Sequence, residues 1–241
     1  MLSFRRWHWD GAGHVLVGGQ GHMNSPIDRL EKLDACAVSD AMDSLGLPPA
    51  VTGLARLSGA GLLVGRCVTV ALAEGKAPAN LPKVHLGARA IEAGGPGMVL
   101  VISHPHIDAG GWGGVLSNAA QAKGIEGVVL DGPSRDIDEA IGLGFAIFAR
   151  STTARTARGR LYEAATNVPV VIGGVTVHPG DFLIADASGV VFVPEAHVEN
   201  VLMTAERIIA KERLMTEAVR AGVSATEVMG ADYENLLEIE K

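Results

Sequence analysis

The residues with the clearest chemical potential lie in GVVLDGPSRD, residues 127–136. Val128-Val-Leu130 reads as a buried strand that stops at a turn, Asp131-Gly-Pro-Ser134. Arg135 and Asp136 follow, with Asp138 and Glu139 close behind. A fixed cation beside a carboxylate at a strand's C-terminal end stands where open α/β sheets bind ligands. A guanidinium can clamp a planar carboxylate with two parallel hydrogen bonds, and an aspartate suits a hard cation such as Mg²⁺. The pair therefore points to a small, anionic, metal-chelating substrate. A second cluster, Gly110-Gly-Trp-Gly-Gly114, directly precedes a helical segment at Val115. Glycines let a backbone approach a ligand closely, and a helix N-terminus offers unpaired N–H groups and the positive end of a dipole to an anion. If the strands leading to the two clusters are neighbours in a parallel sheet, both clusters meet at one edge.

The elements that must position these residues can be read along the chain. Ser25-Pro26 starts a helix, a hydroxyl cap followed by proline at the first helical position. Residues 35–45 continue as helix and stop at Gly46; residues 62–72 are Val-rich and read as a strand. Pro82 opens a helix through Ala93. Residues 98–103 form a strand, 113–123 a helix closed by Gly124, 135–143 a helix closed by Gly144, and 145–149 a strand. This alternation argues for parallel βαβ units. Residues 168–172 and 175–178, joined by Gly173-Gly174, read as a hairpin, and 182–186 with 190–194 as another. A long helix runs from Glu195 to about Arg220. Its apolar stripe includes Val198, Val201, Leu202, Ala205, Ile208, Ile209, Met215 and Val219, and Glu212 falls on it; an acid there calls for a partner, a metal, or an escape to solvent at the stripe edge.

Length and composition bound the alternatives. The chain has 241 residues, 48% of them hydrophobic but only 4% aromatic, with a formal net charge of −7. It can bury a sizeable core of Val, Leu, Ile and Ala, and its charge balance argues against non-specific nucleic-acid binding. No apolar run reaches the ~20 residues that span a bilayer. Cys36 and Cys67 have no metal-ligand spacing and read as two buried, reduced thiols of a cytoplasmic protein. His104-Pro-His106-Ile-Asp108 has metal-ligand residue types in a loop, a weak pattern beside that of an ordinary surface loop. The glycines at 59, 61 and 65 lack the dinucleotide-binding spacing. Residues 1–24 hold Trp7 and Trp9 and show no period; they read as a flexible extension or as an aromatic arm to a neighbouring subunit, and residues 25–241 as one α/β domain.

Several of these stretches together resemble the regulator of ribonuclease activity A (RraA)-like family. The resemblance is carried by 127–136, by SDAMD at 39–43, by VPVVIGGVTVHPGD at 168–181 and by ADASGVVFVP at 185–194. It extends over roughly residues 28–220. The family includes 4-hydroxy-4-methyl-2-oxoglutarate / 4-carboxy-4-hydroxy-2-oxoadipate aldolases and related oxaloacetate decarboxylases. The resemblance implies a single-domain α/β/α swivelling-type fold with a mixed central sheet and a long C-terminal helix. It implies homotrimers or homohexamers with active sites between subunits, using Mg²⁺ or Mn²⁺ to form pyruvate from small 2-oxo acids. Arg135 would bind the keto acid and stabilise the enolate, and Asp136 would ligate the metal. The substrate carboxylate would rest on Gly113, Gly114, Val115 and Leu116, on the backbone amides of the last two. Glu139 would contact the metal through water, and so would Glu212 from an adjoining subunit. The characterised aldolases carry an aspartate separated by twenty residues from the Arg-Asp pair, where this chain has Gly114. Gly114 with Arg135, Asp136 and Glu139 is the pattern of the regulator-like branch, which puts retro-aldol cleavage in question and leaves decarboxylation. Gly97-Met98 replaces the family's usual Gly-Asp, with no catalytic consequence expected. The resemblance also implies an alternative, a non-catalytic regulator of ribonuclease acting by protein contact.

Overall fold

The computed structural model describes residues 25–79 and 84–230; the extension read over 1–24 and the helix start read at Pro82 lie outside them. In chain order the elements are α1 (Pro26–Leu30), α2 (Ala35–Ser44), β1 (Ala55–Ser58), β2 (Leu63–Glu74), α3 (Ala88–Ala93), β3 (Met98–Ser103), α4 (Gly114–Ala122), β4 (Gly127–Ser134), α5 (Ile137–Leu143) and β5 (Ala146–Thr152). They continue with β6 (Leu161–Thr166), β7 (Val170–Ile172), β8 (Val175–Val177), β9 (Phe182–Ala185), β10 (Val190–Val193), a 3₁₀ turn (Glu195–His197), α6 (Val198–Arg220) and α7 (Ala225–Val228).

One mixed sheet runs β1-β5-β4-β3-β2-β9-β10, with β6 on the far half of β2. Strands β2, β3, β4 and β5 are parallel neighbours, as βαβ units require. The flanking pairs are antiparallel. The sheet curls until Val51, just before β1, bridges Val190 of β10, so its two edges meet. Period-2 alternation sorts the core. Val99, Val101, Val129 and Phe148 pack with the β7–β8 hairpin, while Leu100, Ile102, Val128 and Leu130 pack in the cluster that holds Ala90 of α3, Leu116 of α4 and Ala140 of α5. A separate cluster seats α1, α2 and α6 on the β9–β10 side. The fold is thus a single mixed α/β domain with a long C-terminal helix.

Several local expectations need correction. Asp131–Ser134 is not a turn but the last half of β4, paired with Ser151 and Thr152 after a register shift between Leu130 and Pro133. The shift is what accommodates Pro133, which has no N–H to give to a ladder. Helix α3 begins only at Ala88, because Gly87 adopts φ +80° and its N–H donates to Glu163 Oε2 at 2.7 Å. Helix α5 begins at Ile137, because Asp136 is left-handed. Cys67 is buried but Cys36, on the outer side of α2, is exposed. Among the described residues, no helix is long and apolar enough to cross a membrane.

Candidate active site

The site is built where the loop before α4 is stitched to the end of β4. The Gly111 N–H donates to the Pro133 carbonyl at 2.9 Å, and the Arg135 N–H donates to the Trp112 carbonyl at 3.1 Å. Trp112 is the anchor of this loop: it is buried, stacks on Phe145 with centroids 6.4 Å apart, and donates from Nε1 to Ser117 Oγ at 2.9 Å. These bonds explain why two segments about twenty positions apart share one edge, as the neighbouring parallel strands β3 and β4 allow.

Arg135 and Asp136 leave β4 through a sharp bend. Asp136 takes φ +57° and ψ +40°, a left-handed conformation that an aspartate tolerates at a cost when the surroundings impose it. Arg135 Nε donates to both Asp136 carboxylate oxygens at 3.2 Å, and the Gly114 N–H donates to Asp136 Oδ2 at 3.1 Å. Asp136 thereby links the arginine to the first turn of α4. A Cβ on Gly113 would lie 2.8 Å from Asp136 Oδ2, so the close approach depends on the missing side chain.

A cleft of ≈ 380 Å³ opens over this junction, with Gly113, Gly114, Val115, Leu116, Arg135 and Asp136 in its wall. The Val115 and Leu116 N–H groups precede the first intrahelical bond, Ser117 N–H to the Gly113 carbonyl at 3.0 Å, and α4 has no side-chain cap. Among the described residues they have no acceptor, and a helix N-terminus with such free amides can take an anion. Arg135 uses only Nε on Asp136, so its terminal nitrogens make no hydrogen bond among the described residues. Cationic fork and open amides facing one cleft can receive a small carboxylate-bearing molecule.

The other candidates stand apart in different ways. Glu139, on the first turn of α5, lines an adjoining hollow with Arg135 and Asp136. Its Oε1 accepts from Asn118 Nδ2 at 2.7 Å, and Asn118 Nδ2 also donates to the Gly114 carbonyl at 3.0 Å. Glu212 lies on α6, whose buried residues pack in the other layer with α1 and α2. The residue is largely exposed, yet some desolvation of its carboxyl, with the carboxylates of Asp34 and Asp40, raises that carboxyl above the usual range. Within one chain it does not line the cleft. The His104–Asp108 stretch does not converge on a metal: His104 is buried with both ring nitrogens bonded, and no group of three or more His, Cys, Asp or Glu suited to a metal occurs among the described residues. Asp136 and Glu139 remain as hard oxygen donors. They fit Mg²⁺ or Mn²⁺ rather than a soft metal, because such ions take one or two protein carboxylates and fill the remaining positions with water and substrate.

Sequence reasoning missed the polar side chains His85, Thr156 and Arg158 in the wall. His85 lies in the segment that reads as a helix from Pro82, and Thr156 and Arg158 come from a segment with no periodic signal. It also missed Asn118, which sits four residues after Gly114 and so on the same helix face, a spacing that could have revealed it. In the sequence Asp131 reads only as a turn residue. It is buried, ion-paired with Arg150, and accepts from the Gly173 N–H at 2.9 Å, which ties the β7–β8 hairpin to the sheet.

Comparison with known proteins gives this geometry a context. A family model described as RraA-like, Aldolase/RraA, matches residues 35–192. A relative from Halalkalibacterium halodurans, provisionally named 4-hydroxy-4-methyl-2-oxoglutarate aldolase, is 32% identical over 205 residues, covering 83% of this chain and 90% of its own. The crystal structure of an uncharacterized protein from Pseudomonas syringae pv. tomato superposes with a TM-score of 0.76 at 33% identity, covering 86% of this chain and 97% of the other. Streptomyces coelicolor RraAS2, described as an unusual member of the RNase ES inhibitor RraA protein family, gives a TM-score of 0.70 at 25% identity, covering 78% and 94%.

Proposed function

The chain belongs to the RraA-like, Aldolase/RraA family, and on that premise we propose that it is a divalent-metal-dependent carbon–carbon lyase releasing pyruvate from a small 2-oxo acid. Its activity is that of an oxaloacetate decarboxylase, of a 4-hydroxy-4-methyl-2-oxoglutarate-type class II aldolase, or of both. One observation carries the reading: Arg135, Asp136 and the open first turn of α4 line the same cleft.

In this reading the substrate carboxylate docks on the Val115 and Leu116 N–H groups, aided by the α4 dipole, and the absence of side chains at Gly113 and Gly114 allows the approach. The terminal nitrogens of Arg135 reach the keto oxygen and stabilise the negative charge that develops there as the C3–C4 bond breaks. Asp136 orients Arg135 through Nε and would hold Mg²⁺ or Mn²⁺, with Glu139 and an adjoining subunit's Glu212 acting through water. When bound, the ion supplies Lewis-acid polarisation of the 2-oxo acid. Decarboxylation needs little beyond this electron sink. Aldol cleavage also needs a base for the C4 hydroxyl, and Glu139 is the carboxylate this chain offers beside Gly114 to position a water that would take that proton. The proposal includes a cytoplasmic homo-oligomer, trimer or hexamer, with the site between subunits, and no nucleic-acid partner.

The test is pyruvate release from oxaloacetate and from 4-hydroxy-4-methyl-2-oxoglutarate, coupled to lactate dehydrogenase, with Mg²⁺ and with a chelator. Release above the metal-only background, abolished by the chelator, is expected. No release from either substrate rejects the lyase and favours a non-catalytic ribonuclease regulator, the reading to which the description of the Streptomyces relative points.

A further inference from the structure

The loop from β3 to α4 carries the glycine cradle, and one imidazole sits at its root. His104 directly follows β3 and is 5% exposed. Its Nδ1 accepts from the His106 N–H at 3.0 Å, which leaves the ring proton on Nε2; Nε2 then donates to the Ala109 carbonyl at 3.0 Å, immediately before Gly110. One ring thus closes the loop upon itself. It is also wedged between loop and strand. A Cβ on Gly132 of β4 would lie 2.3 Å from His104 Cγ, and a Cβ on Gly111 of the cradle 3.0 Å from His104 Cδ2. The wedge stands where the Gly111 N–H meets the Pro133 carbonyl, two residues before Arg135.

We infer that His104 is a positioning residue: as the neutral Nε2–H tautomer it holds Ala109–Gly113 against β4, so that the α4 amides and Arg135 face one another across the cleft. The inference rests on the cleft being the substrate site. It also implies acid sensitivity, since a second ring proton would turn Nδ1 from acceptor into donor against the His106 N–H. Burial holds the imidazole below the usual histidine range; the Ala109 carbonyl favours the charged ring, His106 opposes it, and Asp131, itself paired with Arg150, favours it.

The test combines hydrogen exchange on the full chain with the pyruvate-release assay, for wild type, His104→Ala and His104→Gln. In His104→Ala, the hydrogen-bonded amides within 109–116, those of Ala109, Gly110, Gly111 and Gly114, should exchange about tenfold faster or more while β3 and β4 stay protected, because the lost bonds are local. KM should rise about tenfold with a smaller change in kcat, since binding geometry is what is lost. Glutamine, which can restore a donor near the Nε2 position, should recover part of both. Unchanged exchange at 109–116 overturns the inference, as does faster exchange with unchanged KM. Equal loosening of β3 and β4 also overturns it, being the mark of a packing defect. If the wild type releases no pyruvate, the lyase reading falls alone and the exchange data still decide whether His104 holds the loop. If neither variant folds, the wild type answers by itself. Corrected for intrinsic rates, protection at 109–116 must fall as pH drops below about 6.5, ahead of β3 and β4; protection that falls only with the sheet overturns the inference.

Discussion

Glu139 fills the volume beside Gly114 that any side chain at position 114 would need. A Cβ placed on Gly114 would lie 1.9 Å from Glu139 Oε2 and 2.5 Å from its Cδ, and Asn118 pins that carboxylate at 2.7 Å. An acid reaching over from α5 therefore occupies the place where the resemblance puts an aspartate in the characterised aldolases. Gly114→Ala should destabilise the fold by about 1 kcal/mol, because Glu139 is exposed and flexible and swings aside at the loss of its Asn118 bond. Glu139→Ala in the same chain should recover most of that loss. Denaturant midpoints for the two single variants and the double variant measure the coupling, and strictly additive values would contradict it.

Arg135→Ala should reduce kcat/KM for pyruvate release by about 10²–10³, the effect of deleting one donor to a developing oxyanion. Its side chain is 36% exposed, so the melting temperature should scarcely move. Arg135→Lys should stay impaired, because an ammonium restores charge but not the planar fork that serves Asp136 and substrate together. Full activity in the lysine variant would mean that charge alone suffices.

Asp131→Ala should be the most destabilising of these substitutions, by about 3 kcal/mol. It leaves Arg150 without its partner and removes the acceptor for the Gly173 N–H. The lower end of the range for broken buried pairs applies because Arg150 retains 31% exposure. Thermal and chemical unfolding read the loss, and hydrogen exchange should show the β7–β8 hairpin opening first.

Asp186 predicts part of the acid limb of stability. Burial pushes its carboxyl up, but N–H donors from Ala35, Ser188 and Gly189, with the Ser188 side chain, outweigh this and hold it below the usual range. The Ala35 bond, at 3.0 Å, also ties the start of α2 to the β9–β10 turn. A carboxyl depressed in the folded state binds its proton more readily once unfolded. Its contribution is therefore complete above about pH 4 and is lost as pH falls through the folded value. Urea midpoints between pH 2 and 6 should show a steeper acid loss in wild type than in Asp186→Asn, with parallel curves above pH 5; identical slopes would remove Asp186 from the acid limb.

What the sequence by itself determined is the part written in local physics. Apolar runs at 98–103 and 127–130, separated by a helix that stops at Gly124, argue for a parallel βαβ unit, and once β3 and β4 pair as neighbours Arg135, Asp136 and the glycine loop share one sheet edge. Gly46, Gly124 and Gly144 do end helices with positive φ, where an L side chain is strained. The β7–β8 and β9–β10 hairpins and the long α6 follow from equally local patterns.

Only the tertiary structure decided the features whose partners lie far along the chain. Asp131–Ser134 has turn residues, yet pairing with Ser151 and Thr152 and anchoring of Asp131 by Arg150 make it strand. Strands β1 and β6 are short and partly polar and gain their identity from β5 and β2. Cys36 is exposed because of the side of α2 that meets α6. Glu139 meets Gly114, His104 wedges between Gly111 and Gly132, and Arg158 enters the cleft, although no window of sequence contains these neighbours together. Propensity and periodicity act over a few residues, whereas steric exclusion, ion pairing and backbone satisfaction depend on which segments the folded sheet brings into contact.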